Sequence, residues 1–142
     1  MSAIQVVPHY SRSVPRGLRL RVRAASLLAA PLAKLSPARM RTILSWLRRG
    51  AEPAALADAA ALRDATVGVS LDAAGPEGCL RRTLTVALLC RSRGIWPTWC
   101  VGVTTMPPFR AHSWIEAEGE AVGEDVSASQ FAKLIAIPAR GA

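Results

Sequence analysis

Cys79 stands at the head of "CLRRTLTVALLCRSR", an almost wholly apolar helical stretch, and His112 follows downstream in the alternating segment "AHSWIEA". A thiol attacks a carbonyl only as the thiolate. At a helix N-terminus the unpaired N–H groups and the aligned peptide dipoles favour that anion. Arg81 and Arg82, one turn in, add positive charge. Cys79 is therefore a candidate nucleophile, the alternative being an inert packing thiol. A nucleophilic cysteine needs a base, and His112 is the candidate. The other histidine, His9, lies in the amino-terminal arm, where a solvated or locally packed role fits better. Cys90 and Cys100 fall mid-helix and mid-strand and read as core residues.

A third group should hold the imidazole tautomer. If Glu118 and Gly119 form a two-residue hairpin turn, Ala117 pairs with Glu120 and His112 lies opposite Asp125, with Cβ atoms about 5 Å apart. If the turn takes three residues, Trp114 faces Glu124, which becomes the diagonal neighbour of His112. Either register puts one carboxylate on the histidine's face, and both stay open. Phe109, Arg110 and Trp114 around His112 are candidates to line a substrate groove, Trp114 being equally suited to the core.

These residues need a scaffold. Residues 1 to 15 read as a loose or strand-like arm. "LRLRVRAASLLAAPLAKL" reads as a basic, partly amphipathic helix kinked or ended by Pro31. Ser36 as N-cap with Pro37 at the first position opens a second helix. Its Met40, Ile43, Leu44 and Leu47 form one apolar stripe, and Arg48, Arg49 and Gly50 stop it. A third helix is expected from Pro53 to about Thr66, and Gly68 to Gly78 as a loop. The helix from Cys79 to about Arg93, apolar nearly all round, should be buried on most sides, with Gly94 ending it. After Gly94 the period changes to two. "WPTWCVGVT" and "AHSWIEA" read as strands, the second carrying His112, Trp114 and Glu116 on one face. "AVGED" opens a third strand, and the tail adds a short helix or strand. Helices first, then an antiparallel meander, make an α+β chain.

Composition narrows the class. The 142 residues suffice for one domain with a real core, an arm and helices over 1–70 leading into a helix-and-strand core over 71–142. With 51% hydrophobic and 20% charged residues the chain is globular rather than disordered. The net charge of +8 has no compact basic run interleaved with aromatics, so nucleic acid is not an expected partner. Three cysteines without paired spacing argue against a disulfide framework and for a reducing, cytoplasmic compartment. No His/Cys cluster has metal spacing, and neither metal nor organic cofactor is expected. "AASLLAAPLA" (Ala24 to Ala33) is about half of a bilayer span. The basic stretch before it only imitates a signal peptide, being too long and closed by no small-x-small site.

"CLRRTL", "RSRGI" closing that helix, "RRG" before a helical linker, and "FRAHSWIEAEGE" together resemble the lasso-peptide biosynthesis B2 proteins, over roughly Leu35 to Asp125. The resemblance implies a transglutaminase-like, papain-related fold: a buried helix packed on an antiparallel sheet. It implies a leader peptidase with Cys79 as nucleophile, His112 as base and a third member in "GED". Family spacing points to Glu124 and the usual residue type to Asp125. It further implies a precursor peptide as substrate, a separate winged-helix leader-binding partner, because the stretch before Cys79 is too helical to be that module, and a lasso cyclase. Two other readings remain: an acyl-transferring transglutaminase-like enzyme, and a non-catalytic basic adaptor with Cys79 merely packed.

Overall fold

The computed structural model describes residues 14–69, 78–123 and 130–140. The first helix, α1 (Arg16–Ala33), buries Val22, Ala25, Ser26 and Ala29 at helical spacing. Pro31 neither ends nor opens it: the helix continues to Ala33, where Lys34 and Leu35 donate to the carbonyls of Pro31 and Leu32. A proline this close to the C-terminus removes only one helical donor. In α2 (Pro37–Leu47) Ser36 accepts from the Arg39 N–H at 3.4 Å and Met40 and Leu44 are buried, as the stripe predicts.

The third helix, α3 (Leu56–Val69), starts later than expected because Glu52–Pro53 forms β1, which pairs in parallel with β2 (Ile95–Trp96). The Glu52 N–H donates to Gly94 O and the Ala54 N–H to Trp96 O. The Leu56 N–H at the head of α3 is satisfied from afar, by Glu118 Oε2 at 2.7 Å. Next comes α4 (Cys79–Ser92), which buries Thr83 to Ala87, Leu89 and Cys90. Its buried hydroxyls are occupied: Thr85 Oγ1 donates to Arg81 O. Arg91, in its last turn, serves a different helix, with Nε donating to Leu47 O at 2.6 Å at the end of α2.

Four strands follow: β3 (Thr98–Thr104), β4 (Ala111–Ala117), β5 (Glu120–Ala121) and β6 (Phe131–Ile137). All neighbours are antiparallel, in the order β5-β4-β3-β6. The meander therefore covers only β3 to β5. The tail is a strand, and it returns to the far side of β3, where a bulge at Val101/Gly102 shifts the register. One apolar cluster joins Val22 of α1, Leu44 of α2, Leu62 of α3, Leu84 and Ala87 of α4, and Trp99, Ile115 and Ile137 of the sheet. The α+β layout of a central helix on an antiparallel sheet is thus as the sequence implies. Among the described residues no helix is long and apolar enough to cross a membrane.

Candidate active site

Alternation along β3 and β4 divides the sheet into two faces. Trp99, Val101, Ser113 and Ile115 share one; Cys100, Gly102, His112, Trp114 and Glu116 share the other. The first face receives α4. Thr83, one turn on from Cys79, meets Ser113 Oγ at 2.7 Å and accepts from Trp99 Nε1 at 3.1 Å. Ser113 in turn donates to Cys100 O. This chain of three side chains, all buried, pins the opening turns of the Cys79 helix to the strand residue beside His112. Neither hydroxyl stood out in the sequence. The available signal was two small polar residues at inward positions of otherwise apolar elements.

Cys79 is half-buried, whereas Cys90 and Cys100 are fully buried. Burial pushes both buried thiols up, from 9.0 to about 12. At neutral pH they are inert packing groups, as expected, and Cys79 is the thiol open to chemistry. Gly78 precedes it with no side chain to cap the helix, and the first turn holds no acid. The donors at the head of α4 are therefore free of an N-cap side chain, the arrangement that favours an anion.

His112 is half-buried on the second face. Its ring stacks on Trp114 at 5.9 Å and meets Phe131 of β6 at 5.0 Å. The histidine strand thus joins the Cys79 helix through Ser113, while the imidazole lies on the strand's other side. Among the described residues β4 is paired on its outer edge only from Ile115 onward. Gly102 lies opposite His112, and a Cβ there would strike the Ala132 carbonyl and come within 2.9 Å of the Trp114 ring. Glycine at this position leaves the room that the indole and the β6 backbone occupy.

Trp114 is 1% exposed, so it backs the imidazole and offers a peptide almost no surface. Its Nε1 donates to Glu116 Oε1 at 3.0 Å. Lys133 pairs with the same carboxylate at 2.9 Å, a hydrogen bond that raises the lysine's pKa. Phe109 and Arg110, by contrast, are exposed, Phe109 at 69%. They end the β3–β4 loop, which Thr104 staples by donating to Pro108 O and accepting from the Arg110 N–H.

The hairpin takes the two-residue turn: Ala117 pairs with Glu120, with Glu118 and Gly119 both at positive φ. Asp125 and Glu124 lie outside the described residues, as does His9. No group of three potential metal ligands occurs among the described residues. A cleft of about 440 Å³ between the start of α3 and the β4–β5 hairpin lies at the end of β4 away from His112.

A search of curated proteins and a search of solved structures return no match. A family model does match, over residues 19–136. That span is wider than the resemblance suggested and takes in most of α1 as well as β6, so the early helices belong to the same fold as the cysteine helix and the sheet. With a cysteine at the head of the central helix and a histidine on the adjoining strand, the chain belongs to the transglutaminase-like superfamily.

Proposed function

We propose that this protein is a cysteine peptidase that removes the leader from a ribosomally made lasso precursor peptide. The superfamily's members are usually cysteine peptidases or acyltransferases, and the "FRAHSWIEAEGE" resemblance selects the first. The observation that carries the reading is the Thr83–Ser113 bond, which ties the helix that begins at Cys79 to the strand that carries His112.

In this reading His112 takes the proton from Cys79. The thiolate attacks the last leader carbonyl. Backbone N–H groups at the head of α4 hold the oxyanion. His112 returns the proton to the leaving amine, and water hydrolyses the thioester. A carboxylate of the "GED" segment, Asp125 or Glu124, orients the imidazole, as the resemblance implies. Phe109 and Arg110, exposed at the end of the β3–β4 loop, engage the peptide. A separate winged-helix chain presents the leader, and a cyclase takes the freed core. No metal or organic cofactor enters the reaction, which takes place in the cytoplasm.

The test is mass spectrometry of a precursor peptide incubated with this protein and its leader-binding partner. Leader loss that disappears in Cys79→Ala and in His112→Ala supports the reading. Processing that survives Cys79→Ala overturns it in favour of a non-catalytic adaptor. A product bearing an added amine overturns it in favour of acyl transfer.

A further inference from the structure

A surface helix should be apolar on the side that meets the core and polar on the other. The first helix, α1, is apolar on both. Opposite its buried Val22, Ala25 and Ala29 run Leu20, Ala24, Leu27 and Pro31, all exposed, with Leu20 at 67% and Leu27 at 71%. Leu28, beside them, is 62% exposed. Arg16, Arg19, Arg21 and Arg23 rim this stripe, and all four are exposed. A contiguous apolar strip with a charged rim marks an interaction surface.

The charge around the strip is one-sided. Up to Ala51 the chain carries ten of its eighteen arginines and lysines and none of its ten acidic residues. The rest of the chain is slightly acidic. A second copy of α1 on this strip would set arginine against arginine, so the complementary occupant is acidic. Its shape is specified too. Beside Leu27 and Arg23 lies a concave slot of about 230 Å³, also lined by Val22, Ser26, Val69 and Arg81. A flat lipid surface leaves such a slot empty, whereas a side chain of a peptide fills it. The strip offers leucines in place of aromatic stacking platforms, which disfavours nucleic acid.

We infer that the outer face of α1 docks an acidic amphipathic segment of a protein partner. Its apolar side chains lie on Leu20, Leu27 and Leu28 and its carboxylates meet the arginine rim. Arg81, two residues beyond Cys79, also lines the slot, so a segment seated there lies beside the first turn of the Cys79 helix. The docking itself is independent of the peptidase reading; only the bearing of that position on Cys79 rests on it.

Fluorescence anisotropy with a labelled synthetic Glu/Leu/Ala amphipathic peptide tests this on the full chain. The peptide should bind, and its Lys/Leu/Ala counterpart should not. Leu20→Ser/Leu27→Ser and Arg23→Glu, all at exposed positions, should each weaken binding about tenfold or more, with circular dichroism melting unchanged for both variants. Cys79→Ala should bind as the native protein does. Absence of binding, unchanged affinity in both variants, or equal binding to phosphatidylserine vesicles or a DNA duplex overturns the inference. Peptide binding without precursor cleavage would uphold the docking face and remove the peptidase; cleavage without peptide binding does the reverse.

Discussion

Replacing Thr83 by valine keeps the side chain's shape and deletes one hydroxyl. That hydroxyl serves two partners across the core. It meets Ser113 Oγ at 2.7 Å, and it accepts from Trp99 Nε1 at 3.1 Å. With Ser113 donating to Cys100 O, the threonine hydroxyl is the donor of the pair, its proton shared between Ser113 Oγ and Leu80 O. The variant therefore strands the Trp99 N–H, 1% exposed as a residue, and removes one hydrogen bond from Ser113. A buried donor left unpaired costs about 1–3 kcal/mol and the lost bond about 1 kcal/mol more. The expected loss is about 2–4 kcal/mol, within the roughly 5–15 kcal/mol of a typical domain, so the protein still folds.

Ser113→Ala is the control. Thr83 then keeps the Trp99 N–H and turns its own proton to Leu80 O, already at 3.0 Å. That variant leaves only the Cys100 carbonyl to find a new donor and should cost about 1 kcal/mol. Urea unfolding followed by tryptophan fluorescence measures both. Iodoacetamide labelling of Cys79 then reports whether the helix head has shifted. A Thr83→Val loss below about 0.5 kcal/mol, or one no larger than that of Ser113→Ala, refutes the idea that this hydroxyl is the seat of the cysteine helix.

Gly102→Ala should destabilise by about 3 kcal/mol or more, because the new methyl meets the rigid Ala132 backbone as well as the Trp114 ring; a chemical melt within about 0.5 kcal/mol of the native protein would contradict the packing. Native protein near neutral pH should take up iodoacetamide at Cys79 alone, with Cys90 and Cys100 reacting only in denaturant, as peptide mapping will show. Alkaline stability provides a third check. Both buried thiols ionise near 9.0 in the unfolded chain and near 12 in the fold. The unfolded state therefore sheds protons first as pH rises, and stability, full below pH 9, falls toward pH 12 by about 1.4 kcal/mol per pH unit per thiol. Cys90→Ala should flatten that slope in urea midpoints measured across the window; an unchanged slope would show that this thiol is not held protonated.

Much of this molecule follows from local patterns. The period-3.6 stripe of α2, its Ser36–Pro37 start, the buried Cys79 helix and the period-2 strands are carried by residues that are neighbours in the chain, and hydrophobic spacing reads such neighbours directly. The candidate cysteine and histidine were legible for the same reason: a helix head and an alternating strand are local features. So were the inert roles of Cys90 and Cys100. Other features depended on which distant segments meet. The two residues of β1 carry too little pattern to announce a parallel partner in β2, and β6 had to cross to the free side of β3 to cover that edge. Glu118 satisfies the head of α3 and Arg91 the end of α2, across separations no periodicity encodes. Strand alternation said that His112, Trp114 and Glu116 share a face; only packing decided that α4 would take the opposite one. The chain's own pattern settled what each segment is, because that depends on neighbouring residues competing for water or core. Tertiary structure decided which face each segment turns to which partner, because that choice depends on the whole buried surface at once.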